Sequence, residues 1–180
     1  MGDDTTAQRL RLLQAEFVQP TRSGPGDGRK ATQVEAPAPL NIGIVDRMAA
    51  AAAEIDDHMR AVEPPAHTPA RPRPANPADR YEWWRHGTAH LAPQLQDARE
   101  QVIYRQGLEY DLAMGDTSFI RRHPCPGCGC WGLFWREAQQ AAVCVNHYCV
   151  DDDGLSRTWS LAHLAQQHIA RQKSLKISAT

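Results

Sequence analysis

His123-Pro-Cys-Pro-Gly-Cys-Gly-Cys130, answered by Cys144-Val-Asn-His-Tyr-Cys149, is the stretch that decides how the second half of this 180-residue chain folds. A cation held with no open position takes four thiolate or imidazole donors, delivered as two tight pairs from two turns. Cys125 and Cys128 form the first pair, at a two-residue gap that lets one turn present both sulfurs. Pro126 stiffens that turn, and Gly129 supplies a residue able to take positive φ just behind the second sulfur. Fifteen residues separate Cys128 from Cys144, inside the window of a ribbon-like four-cysteine site. Cys144 and Cys149 close the set at a wider gap of four, so Cys144 with His147 is an alternative pair, and Cys130 and His123 stand as substitute ligands. The reading adopted is zinc on Cys125, Cys128, Cys144 and Cys149. Spacing does not separate zinc from iron in such a sulfur cage. The competing reading is free buried thiols or a disulfide. The opening Met-Gly-Asp-Asp-Thr-Thr is acidic and polar, unlike a secretory leader, so a reducing, cytoplasmic setting is expected, where clustered cysteines bind metal more often than they cross-link.

Three catalytic readings of the same residues fail on chemistry. Pro124-Cys125-Pro-Gly-Cys128 matches half of a zinc nucleobase deaminase signature, but that reaction also needs a His-x-Glu or Cys-x-Glu, and the chain has neither. Asn146-His147 beside a cysteine suggests a His-Asn-His nuclease, yet the metal-binding Asp-His element is missing between the two cysteine pairs. A hydrolytic zinc wants three protein ligands and a nearby carboxylate base. Between Arg121 and Tyr148 the only acid is Glu137, so the expected site is structural.

Composition limits what surrounds it. Thirteen prolines, twelve glycines and polar connectors remove a sizeable part of the chain from any core. No apolar run is long enough for a membrane span. The net charge of −1 hides an asymmetry: residues 121–180 carry seven basic and four acidic side chains, while residues 1–120 carry thirteen and seventeen. Arginine far outnumbers lysine, and alanine is abundant, a bias associated with GC-rich bacterial or bacteriophage genomes.

Taken in order, residues 1–18 read as a short helix with Leu10, Leu13 and Phe17 on one side, and 19–40 as a flexible linker. An amphipathic helix is expected over 41–62, with Met48, Ala52, Ile55, Met59 and Val62 at steps of 4, 3, 4 and 3. That seam packs on the chain's own second helical segment, or serves a protein partner or self-association. Residues 63–77 read as a Pro-rich linker, and 78–116 as a helical segment whose main helix, about 92–114, turns Leu95, Ala98, Val102 and Tyr110 inward. Trp83 and Trp84 are expected in helix contacts, and the His86/His90 pair, with Gly87 between, as coincidence. Over 117–172 the expectation is a zinc ribbon with a C-terminal helix: strands over 131–136 and 141–145, a third over 155–159, and Asp151-Asp-Asp-Gly154 as a solvated turn without the acceptors of a calcium loop. Ser160 caps the final helix, with Leu161, Leu164, Ala165 and Ile169 on one face, and 173–180 is a basic, frayed tail. The fold class is therefore α+β, a mostly helical N-terminal part joined by flexible linkers to a small antiparallel ribbon and a closing helix.

The pattern Cys-Pro-x-Cys-Gly, then Cys-x-Asn-x-x-Cys-x-Asp-x-x-Gly, then Trp-x-Leu-x-x-Leu-Ala resembles small zinc-ribbon proteins of actinobacteria and their phages. Here it runs through Cys125 to Gly129, Cys144, Asn146, Cys149, Asp151, Gly154, Trp159, Leu161, Leu164 and Ala165. Ala38-Pro-Leu-Asn41 also looks like the start of the helix such proteins carry. The resemblance covers about half the chain and implies a metal-binding protein; it adds little about activity. The leading functional expectation is a non-enzymatic interaction module contacting protein or nucleic acid, the latter weakly and through phosphates by Arg121, Arg122, Arg136, Arg171, Lys173 and Lys176. The runner-up is a virion or packaging component with a purely structural zinc. An enzyme comes last, because no nucleophile–base pair or open metal site can be assembled from these residues.

Overall fold

The computed structural model of the chain describes residues 42–62 and 73–178. The helix expected over 1–18, the linker over 19–40 and most of the Pro-rich linker over 63–77 lie outside the described residues. The elements run α1 (Ile42–Val62), α2 (Pro77–Gly87), α3 (Pro93–Ala113), the single turn α4 (Ser118–Arg121), β1 (Leu133–Arg136), β2 (Ala141–Cys144), β3 (Thr158–Trp159) and α5 (Leu161–Ser178). Among the described residues no helix is long and apolar enough to cross a membrane.

The alanine-rich run in α1 favours helix, and its seam is consumed inside the chain. Ala52, Ile55 and Met59 are fully buried, with Met48 and Val62 at the margin, against Tyr81 and Trp84 of α2 and Ile103 and Tyr110 of α3. The seam offered to a partner on sequence grounds is thus filled by α2 and α3. Several polar groups inside this first core are paired, as burial favours, although the buried Trp83 indole N–H has no hydrogen-bond partner among the described residues. Asp56, 1 % exposed, accepts from the Trp84 indole N–H at 2.7 Å and from Arg80 at 3.1 Å, and Arg73 also reaches it. The Gln106 amide donates to Ala51 O and Glu54 Oε2, both at 2.9 Å, while its oxygen accepts from Tyr81 Oη at 2.8 Å.

α3 works on two sides. Ile103 and Tyr110 belong to the first core, whereas Leu108 is buried in a second one, flanked by Tyr104 and Leu112. The second stripe has the four-residue spacing that keeps side chains on one helical face. That second core joins Leu108 to Ile120, Leu133, Ala142, Leu164 and three cysteines, and α5 lies along α3 to close it. The strands form one antiparallel sheet in the order β1-β2-β3, with Leu133 opposite Cys144 and Ala142 opposite Trp159. A 3₁₀ turn, Glu137–Gln139, links β1 to β2.

Several boundaries differ from the sequence expectations. β1 starts at Leu133 rather than residue 131, because Trp131 points to solvent beside the cysteine turn. The strand expected over 155–159 shrinks to two residues. The Asp151 carboxylate accepts from the N–H groups of Asp153 and Leu155, at 3.1 and 2.9 Å, and that turn holds residues 151–155 out of the ladder. The tail expected to fray from 173 is helical through Ser178. No Gly or Pro interrupts it, and Lys173 Nζ anchors it to Asp97 of α3 at 2.9 Å.

Candidate metal centre

Two backbone turns and one strand end bring the sulfurs together. In the first turn, Cys125 N–H donates to Cys130 O and Gly129 N–H donates to Cys125 O, each at 2.8 Å. Gly129 sits at φ 74, the left-handed conformation that glycine takes without strain. A second glycine is needed for room: a Cβ on Gly127 would lie 3.1 Å from Trp159 Cζ2 and 3.3 Å from Cys149 Sγ. Cys144 ends β2, and Val145 N–H donates to Gly132 O at 2.9 Å. The second turn carries Cys149, whose N–H donates to Asn146 O at 2.8 Å and whose carbonyl accepts from Arg157 N–H at 3.0 Å.

The Sγ atoms of Cys125, Cys128, Cys144 and Cys149 all lie within 4.8 Å of one another, so this group could hold a metal ion. A metal–thiolate bond of about 2.3 Å implies a tetrahedral sulfur–sulfur edge of about 3.8 Å. Cys125–Cys149 and Cys128–Cys144 are both separated by 3.7 Å, so closing around an ion requires little rearrangement. Three of the four sulfurs are buried, and Cys128 is exposed.

The substitute ligands are placed differently. Cys130 Sγ lies 3.3 Å from Cys128 Sγ and 3.5 Å from Cys144 Sγ, both shorter than the tetrahedral edge, so it crowds the cage as a fifth sulfur. His123 is buried with both ring nitrogens engaged: Nδ1 lies 2.9 Å from Phe119 O, and Nε2 lies 2.9 Å from the Tyr104 hydroxyl. Desolvation pulls its pKa below the ordinary 6.5, which keeps the ring neutral. His147 is exposed, its ring centroid 3.8 Å from that of Tyr148.

The surroundings treat the four thiols unequally. The backbone N–H of Cys130 is the main cause holding the Cys128 thiol down to about 6, helped by the Cys130 thiol and the Asn146 side chain. Burial pushes the Cys149 thiol up to about 11 and the Cys144 thiol higher still, although the Asn146 backbone N–H pulls the latter back. Buried sulfurs this close cannot all be thiolates by themselves; a bound dication reverses that balance and releases the protons. Asn146 is the part of the site that ligand counting misses. It supplies no ligand atom, and its signal in the sequence is its place in the Cys144-x-Asn-x-x-Cys149 pattern rather than any ligand chemistry.

Three of the basic residues expected against phosphate lie over aromatic rings. Arg122 lies 4.6 Å from the Phe119 ring centroid, Arg136 lies 5.7 Å from Phe134, and Arg171 lies 5.8 Å from Trp131. Lys173 is tied to Asp97, Arg121 is exposed, and the Lys176 side chain lies outside the described ones. No protein-family model matches this chain, and neither a curated protein nor a solved structure matches it.

Proposed function

We propose that the chain is a non-enzymatic zinc-ribbon interaction module, an accessory or regulatory protein that contacts a protein or nucleic-acid partner. The observation that carries this reading is the four-sulfur group itself, two turns and a strand end converging within 4.8 Å. Four thiolates suit zinc and leave it no open coordination position, the mark of a structural rather than a hydrolytic site. Glu137, the acid between the two cysteine pairs, accepts from Trp135 Nε1 and the Gln140 amide, each at 2.9 Å, and Asp151, two residues past Cys149, accepts from the N–H groups of Asp153 and Leu155. A contact role is supported by what the metal-bearing half shows to solvent. Trp131 is 67 % exposed and Tyr148 82 %, with Val145 and Leu155 also outside any core. Exposed aromatic and aliphatic side chains of this size are available for contact with a partner. The likeness of the cysteine pattern to actinobacterial and phage zinc-ribbon proteins supports the bacterial or phage setting.

Metal analysis of the purified chain tests the reading. About one zinc per chain is expected, in a colourless protein, with the metal lost from Cys125→Ser and Cys144→Ser and retained in Cys130→Ser. A red, iron-containing protein would replace zinc with a rubredoxin-like centre. Full metal occupancy in Cys144→Ser would remove the four-sulfur assignment.

A further inference from the structure

A groove of about 450 Å³ opens between the first cysteine turn and α5, and its chemistry is one-sided. Arg122 enters from the end of α4 and Arg171 from α5, and no Asp or Glu lines it. The two stretches that build it, 118–131 and 161–178, contain no acidic residue, so neither supplies a carboxylate to those guanidinium groups. Trp131 stands at the rim, 67 % exposed, with the Arg171 guanidinium 5.8 Å from its ring centroid. Gln167 and Gln172 add side-chain amides along the same edge. The floor is fixed: His168 stacks on Tyr104 with ring centroids 3.9 Å apart, and Tyr104 holds His123 from the other side.

We infer that this groove binds single-stranded nucleic acid, with Arg122 and Arg171 taking backbone phosphates and an unpaired base stacking on Trp131. The two arginines call for an anion, and the volume suits about one nucleotide. An acidic peptide would satisfy the arginines but would leave the exposed indole without a role. A duplex offers phosphates but keeps its base faces stacked and out of reach. An unpaired nucleotide uses both features, and the amides can meet base edges. This inference rests on the ribbon reading in one respect, since Cys125 and Gly129 form part of the wall and the metal would hold that wall in place.

Fluorescence anisotropy of the full-length, metal-loaded protein with labelled oligodeoxythymidylate and oligouridylate is the test, run over a series of salt concentrations. Binding to at least one of the two is expected, with a salt slope of about −1.4, as for two phosphates on a single strand. Arg122→Gln and Arg171→Gln should each flatten that slope by about 0.7. Trp131→Ala should weaken binding about tenfold at unchanged slope, and its exposure leaves the fold unharmed. Arg136→Gln, outside the groove, should bind like the parent. Absence of binding to both oligonucleotides at low salt would overturn the inference, as would an unaffected Trp131→Ala. Competition by polyglutamate as effective as by oligonucleotide would reassign the groove to an acidic protein. Should an arginine variant lose its helical spectrum, the parent's salt slope and Trp131→Ala still decide. Zinc content measured on the same samples separates the two readings. Zinc without binding sinks the groove alone, and binding without zinc sinks the ribbon alone.

Discussion

Asn146 tunes the sulfur cage without offering a ligand atom. Its side chain reaches Cys128 and its backbone N–H reaches Cys144, and both contacts favour the charged form of the sulfur. Thiolates in such a site carry more negative charge than one dication cancels, so each N–H pointed at a sulfur lowers the cost of gathering them. Asn146→Ala should therefore keep the fold and the stoichiometry but weaken metal affinity about 10- to 100-fold, as read by competition with a chromogenic chelator. Asn146→Asp, which sets a carboxylate against the thiolates, should lose more. Equal affinity in the alanine variant and the parent would mean that the remaining backbone N–H groups suffice. Cys130 supplies one of those, which is a separate reason for its place 3.3 Å from Cys128.

Between elements, the α2–α3 contact is held by a fork of charges. Arg85 of α2 donates through Nη2 to Glu100 Oε2 at 2.7 Å and through Nε to Oε1 at 3.1 Å, and Arg99 flanks the same carboxylate at 2.9 Å. Burial acts to raise the Glu100 pKa, but the Arg85 fork outweighs it and holds the carboxyl below the ordinary 4.5. A depressed carboxyl stabilises the fold at all pH above its unfolded value, and that contribution fades as pH falls below about 4.5 toward the folded value. Glu100→Gln should cost about 1–2 kcal/mol near neutral pH and should flatten the loss of stability below pH 4.5, measured as hydrogen-exchange protection across residues 77–103. An identical acid profile in the variant would remove this bridge from the account. The same elements show what the sequence made legible. The α1 seam and the cysteine pairs stood out because period and ligand spacing are local properties. Asp56 did not, because its partners Arg73, Arg80 and Trp84 lie 17, 24 and 28 residues away and only the fold brings them together. The second face of α3 was hidden for a related reason: Leu95, Ala98, Val102 and Tyr110 pointed to one apolar stripe, while Tyr104, Leu108 and Leu112 form another that matters only once α5 has returned to cover it. The length of α5 rested likewise on the distant Asp97.

Across the whole molecule the two cores differ in what holds them, and α3 is their common wall. The first is an ordinary helical core, with Ile55, Met59, Tyr81, Trp84 and Ile103 buried and the Tyr81 hydroxyl and Trp84 indole hydrogen-bonded to Gln106 and Asp56. The second counts Cys125, Cys144 and Cys149 among its eight buried members, so a large part of it is candidate ligand rather than hydrocarbon. A small structural zinc site contributes about 10–16 kcal/mol of apparent binding energy, comparable with the whole stability of a typical domain of about 5–15 kcal/mol. On the zinc reading proposed above, removing the ion should therefore release the second core and leave the first standing. With excess chelator, hydrogen exchange should become fast across residues 118–165, intermediate around Leu108 and Leu112 on the α5 side of α3, and remain slow at Ile55, Met59, Trp84 and Ile103. The C-terminal part of α5 should follow the second core, since Lys173–Asp97 is a surface bridge of about 1 kcal/mol at most and cannot hold that helix alone. Readdition of zinc should restore protection in the same segments. Loss of both cores together would mean that α3 cannot stand on the first core alone, and loss of neither would mean that the buried thiols pack well enough without an ion.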